Sequence, residues 1–192
     1  MRSLAKLSAA MIFCHFTFWP TISTGVTNSN VNIYQNVPVQ QAEHLTKKLI
    51  AADDNEKKNI LKAFKILADQ NNENVIIRNM YINNLIAEKY YKEGIKNLEI
   101  INKEKPGRTS LLTQCMLKER LGSKDDNCYR QVIFMSEKEN IVDSDYLSAL
   151  FFADDKKFKE VKEKQIKKGK FKESDFIIFS MGKEKMLNEI YP

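Results

Sequence analysis

Glycine and proline are scarce in this chain, 6 and 4 among 192 residues. So few breakers leave no room for a turn-dense β-fold and favour helix. They also leave no glycine-rich phosphate loop and no dinucleotide fingerprint. Histidine occurs twice, as His15 and His44. His15 lies in an apolar leader, so any Ser-His-Asp or Cys-His site would depend on His44 alone. Cysteine occurs three times; Cys14 lies in the same leader, and His44 with Cys115 and Cys128 falls short of the four ligands of a structural zinc site. Valine and threonine, the usual strand material, thin out after residue 40. No apolar run reaches the roughly 20 residues that a membrane span requires.

What is present begins with an export signal. Arg2 and Lys6 form a positive start, Leu7 to Trp19 is apolar and uncharged, and Pro20 ends the run. Ser23 and Gly25 supply the small residues of a cleavage site, so residues 1–25 are expected to be a secretory signal peptide. Cys14 sits behind the bulky Phe13, which does not suit a lipoprotein signal. Loss of two basic residues and no acid with that leader would bring the net charge from +6 to +4. The remaining charge is mild. It favours acidic partners slightly and falls well short of a nucleic-acid footprint. Cys115 and Cys128 would then be left as an even pair in an oxidising compartment, where a disulfide is the natural reading and two unpaired buried thiols the alternative.

Residues 26–38 are polar, asparagine-rich and closed by Pro38, and read as a flexible N-terminal arm. From Val39 the apolar residues recur at helical spacing. Val39, Ala42, Leu45 and Leu49 make one helix; Ile60, Ala63, Phe64 and Leu67 make the next, across a turn at Asp53-Asp54-Asn55. A second hairpin covers about 75–106 and ends at Pro106-Gly107; a third covers about 109–140, with Leu112, Cys115, Met116 and Leu121 facing inward. A fourth opens at Asp143-Ser144-Asp145, places Tyr146, Ala149, Leu150, Phe152 and Phe158 at core spacing, and ends at Gly169. One last helix is expected over about 174–190, with Ser174 as its N-cap. Turn clusters near 53–55, 87–90, 122–127 and 154–155 recur every roughly 32–37 residues, the spacing of a two-helix solenoid repeat.

The segment Tyr90-Tyr91 to Pro106 adds detail to that period. Tyr91, Gly94, Leu98 and Pro106 fall where an aromatic, a small contact residue, a large apolar residue and a closing proline recur in the second helix of a tetratricopeptide repeat, and the stretch resembles that family over 75–140. Ile82 and Arg78 depart from it, standing where the family has a small residue and a tryptophan. The resemblance implies an all-α solenoid of about four antiparallel hairpins with a C-terminal capping helix, and a role in binding other proteins. In its register Cys115 and Cys128 face each other across the third hairpin, so the disulfide would staple one repeat.

No constellation for catalysis, cofactor or metal emerges. The Asp pairs 53–54, 125–126 and 154–155 are isolated and read as helix caps, not as a calcium loop. Glu173-Ser174 matches the acid dipeptide of a lytic transglycosylase but lies too near the end of the sequence for a groove to follow it. Residues 156–172 carry nine lysines against two glutamates and no arginine. This reads as a solvated helix face with Glu160–Lys164 and Glu163–Lys167 pairs, or else as a contact for an acidic protein or anionic envelope surface. In Tyr90-Tyr91 and Phe151-Phe152, neighbours point about 100° apart on a helix, so one of each can line a groove. The expectation is a non-enzymatic, exported (periplasmic or secreted) protein-binding module without cofactor, an adaptor or an immunity-type neutraliser of a toxin. Partner-binding candidates are Tyr90, Phe151, Lys156, Lys157 and Lys159; nucleic acid is excluded and membrane contact is at most peripheral. The alternatives are an envelope hydrolase using a carboxylate pair and a lysine-driven anionic-surface binder.

Overall fold

The computed structural model describes residues 37–192, so the leader and residues 26–36 of the arm lie outside the described residues. Among the described residues every regular element is helical. Eight helices form four hairpins: α1 (Val37–Ala51) with α2 (Asp54–Gln70), α3 (Val75–Ala87) with α4 (Tyr91–Glu104), α5 (Arg108–Arg120) with α6 (Asp126–Lys138), and α7 (Ser144–Phe152) with α8 (Lys157–Lys167). A 3₁₀ turn (Glu173–Phe176), α9 (Ile177–Ser180) and α10 (Lys183–Ile190) follow. α1 begins two residues earlier than the spacing predicts. Pro38 sits in its first turn, where the missing N–H costs no helical bond.

The repeat is written into the turns. Lys89, Gly122 and Asp154 close the first helix of hairpins two, three and four, all at positive φ and spaced 33 and 32 residues apart. After each, an N–H reaches back five residues to a carbonyl: Tyr90 to Leu85, Ser123 to Lys118, and Asp155 to Leu150. This Schellman closure satisfies carbonyls that a helix end otherwise leaves bare. The first hairpin turns differently. Asp53 caps α2 in a capping box with Glu56. Asp125 and Asp143 cap α6 and α7 without a capping box, each accepting from N–H groups of the first turn.

Stacking explains which helices are amphipathic. α3 packs on α1, α2 and α4, and α5 packs on α4, α6 and α7. Helices between two hairpins must be apolar on more than one side. Thus Ile77, Tyr81 and Leu85 of α3 join the core of the first hairpin, where Tyr81 stacks on Phe64 at 5.6 Å, while Ile82 of the same helix joins the larger core beyond. α5 buries Leu111, Leu112, Cys115, Met116 and Leu117 together. Leu121, expected inward, is exposed because α5 ends at Arg120 and leaves it as the cap.

Cys115 and Cys128 are bonded, with Cα atoms 5.7 Å apart, and pin α5 to α6 inside the core. The single last helix expected over 174–190 is broken instead. Gly182, at φ +82°, separates α9 from α10, and Ser174 lies within the 3₁₀ turn without capping it. Asp175 accepts the Lys172 N–H there at 2.8 Å. The break lets α10 fold onto α5 with Met186 and Leu187 buried. Its tail is tied down by Arg120 Nε donating to the Tyr191 carbonyl (2.8 Å) and Tyr91 Oη donating to the Pro192 oxygen (2.7 Å).

Candidate functional site

Tyr90 ends the turn after α3 and is half-buried against the first core. It walls a surface groove of about 290 Å³ whose floor is Leu61, Tyr81 and Leu85. One rim is α2, where Lys58, Lys62 and Lys65 recur at helical spacing; the other carries Glu93 of α4. Lys65 pairs with Asp69, whereas Lys58 and Lys62 form no ion pair among the described residues. Burial, followed by Asp69 and Glu93, pushes the Tyr81 phenol up from its ordinary value. Buried Tyr91, Tyr129 and Tyr146 each donate to a protein oxygen, at 2.7, 2.7 and 2.9 Å. Tyr81 has no such acceptor among the described residues. The groove is an apolar floor with an unengaged hydroxyl under a mainly cationic rim.

Between α3 and α4 lies a smaller, more enclosed pocket of about 90 Å³, bounded by Val75 and Arg78 of α3, Ile100 and Ile101 of α4, and Lys105 just after α4. Asn72 and Glu73, in the turn after α2, complete its edge. Glu93, Asn97 and Ile101 are successive i,i+4 positions of α4, so the groove and pocket are about 12 Å apart along that helix.

The other candidates are distributed elsewhere. Phe151 is half-buried in an aromatic cluster, 5.4 Å from Phe158 and 5.1 Å from Phe179 between ring centres, and serves to seat the C-terminal cap. Lys156, Lys157 and Lys159 are exposed at the start of α8. Lys157 pairs with Glu137 at 2.7 Å, which holds that carboxyl below its usual range and the lysine above its own. The expected Glu160–Lys164 and Glu163–Lys167 pairs do not form among the described residues. Lys162 instead reaches Glu173 (3.2 Å) and the Phe176 ring (5.0 Å), a tie to the cap that the tertiary fold makes available. His44 is exposed on the outer edge of α1, beside Leu45 and Ile66, on the open end of the stack.

The most connected polar cluster is structural. Arg108, at the start of α5, donates to Asp143 (2.8 and 3.2 Å) and Ser136 (3.3 Å) and lies 3.3 Å from Glu139. Burial opposes ionisation of Asp143, but Arg108 and the Tyr146 N–H outweigh it and hold the carboxyl below its usual value. These contacts fix the third hairpin to the fourth.

Sequence reading brought Tyr90 forward but missed its companions. The Lys58, Lys62, Lys65 stripe was visible as spacing; the partner stripe on α3 was not, because it depends on how hairpins one and two stack. Comparison with protein-family models, curated proteins and solved structures finds no match. Among the described residues no group of His, Cys, Asp or Glu is placed to hold a metal, and no helix is long and apolar enough to cross a membrane.

Proposed function

We propose that this chain is an exported, non-catalytic protein-binding module of tetratricopeptide-like design, acting as an adaptor or as an immunity-type neutraliser of a toxin or effector. The observation that carries the reading is the α2–α3–α4 groove at Tyr90, an apolar floor rimmed by lysines, of which Lys58 and Lys62 form no ion pair among the described residues. Aromatic anchors in desolvated clefts, ringed by charge, are the usual energetic centres of protein interfaces. The rim favours an acidic segment, and the disulfide suits an oxidising compartment. The test is recovery of an equimolar complex when the full chain, disulfide intact, is purified from its native source and passed over a sizing column. Loss of the complex in Lys58→Glu/Lys62→Glu, with folding intact, supports the groove; a chain that always elutes alone opposes the reading.

A second reading rests on α8 and the residues after it. Of the nine lysines over 156–172, only Lys157 and Lys162 are ion-paired among the described residues. An unneutralised stripe of this kind suits anionic head groups. Its mark is binding to anionic vesicles that vanishes at high salt and in Lys167→Glu/Lys168→Glu.

A further inference from the structure

Arg78 is 6% exposed, among the most buried charged residues described. A guanidinium carries five N–H donors and no acceptor. Arg78 uses one, from Nη1 to Asn97 Oδ1 at 3.2 Å. Asn97 is itself held by donating to the Glu93 carbonyl at 2.9 Å, so its oxygen is presented to the arginine. No carboxylate lies within ion-pair distance of Arg78 among the described side chains. Its free N–H groups are not sealed from solvent, so they can take a further acceptor from outside the fold. The guanidinium, without a carboxylate partner among the described side chains, borders the pocket of about 90 Å³, and Lys105 adds a second cation at its edge. Among the described side chains Glu73 is the one acid lining it; it is exposed and forms no ion pair there with either cation. Part of the rim is apolar: Val75 is 55% and Ile100 45% exposed.

We infer that the Arg78 pocket is a carboxylate-binding site, its ligand a carboxylate attached to an apolar group that covers Val75 and Ile100. The space suits a group of that size. The planar fork of arginine matches two carboxylate oxygens, and charge-assisted bonds are stronger than neutral ones. Placed about 12 Å along α4 from the Tyr90 groove, the pocket is within reach of an acidic residue three or so positions from an aromatic anchor in an extended segment. The inference names a contact for the docking reading above, yet it is tested with small probes and so stands or falls separately from the existence of a protein partner.

The experiment is an NMR titration of the full chain, disulfide intact and at constant ionic strength, following the Arg78 Nε–H and the methyls of Val75 and Ile100. The probes are 3-methylbutanoate, its neutral amide 3-methylbutanamide, and the capped peptides acetyl-Phe-Ala-Ala-Glu-amide and acetyl-Phe-Ala-Ala-Gln-amide. The carboxylate probe is expected to shift all three signals and the amide to leave them in place. The glutamate peptide should bind at least tenfold tighter than the glutamine peptide. If the peptide also outbinds 3-methylbutanoate, the ligand is a protein segment; if the two are equal, it is a free acid, and either result supports the site. Arg78→Met, which replaces a buried charge by an apolar chain of similar length, should fold and lose the response. Should it fail to fold, Lys105→Gln at the exposed edge carries the test, with a severalfold loss for the glutamate peptide and none for the glutamine peptide. Equal shifts from acid and amide, no shift at 100 mM probe, or a response unchanged in both variants would overturn the assignment.

Discussion

Reduction of the Cys115–Cys128 bridge is expected to destabilise the whole stack, and the amount follows from where the bridge lies. The two cysteines are 13 residues apart. Closing a loop of that size removes unfolded-state entropy worth about 3 kcal/mol on the chain-entropy account. Both residues are buried, 1% and 6% exposed, and the bridged hairpin is flanked by hairpins on both sides. In a stack whose stability is the sum of repeats and their interfaces, loosening an interior member weakens its neighbours too. For a chain of this size about 3 kcal/mol corresponds to a melting temperature lower by roughly 6–12 °C. The assay is far-ultraviolet circular dichroism against temperature and urea, with oxidised protein, reduced protein and Cys115→Ala/Cys128→Ala. Reduced protein and the double variant should agree with each other. A change under about 1 kcal/mol, or a double variant as stable as the oxidised chain, would refute the reasoning.

Gly182 is expected not to tolerate a side chain. At φ +82° and ψ 161° it occupies backbone space that only glycine visits freely, and a Cβ there would touch nothing within 4 Å. Gly182→Ala should therefore cost roughly 1–3 kcal/mol through the backbone alone, read by urea unfolding, with faster amide exchange at α10. Asp143 sets an acid limit. Its folded pKa lies below the ordinary carboxylate value, so its contribution is present above that ordinary value and is lost as pH falls through the depressed one. With the side chain 38% exposed, solvent screening limits this to roughly 1 kcal/mol. The urea midpoint of the wild type should fall more steeply between pH 5 and pH 2 than that of Asp143→Asn; equal slopes would contradict the assignment.

Much of the architecture was legible because it is local. The caps at Asp53, Asp125 and Asp143 and the left-handed turn residues punctuate the chain at fixed intervals, and apolar spacing marks α1, α2, α4 and α6 directly. The end of the stack was less legible. Phe176, Ile177 and Phe179 read as one helix with Leu187 and Ile190, since helical spacing alone does not register the interruption at Gly182. Helix–helix ion pairs were misplaced for a related reason: Lys157 and Lys162 find acids on other elements, which no i,i+4 rule anticipates. The same limit explains Phe151. An aromatic beside another aromatic can line a groove or seat a neighbour, and the neighbour here is α9, far along the chain. The Arg78 pocket was signalled only as a charge at a position expected to hold a bulky apolar residue.

Cross-linking of the captured complex tests the docking claim most directly. With a lysine-to-carboxylate coupling reagent and mass spectrometry, the partner's acidic residues should join Lys58 and Lys62 at the Tyr90 groove and Lys105 at the Arg78 pocket, and Lys58→Glu/Lys62→Glu should abolish capture. Cross-links confined to α8, or a partner retained unchanged by the reversed rim, would contradict it.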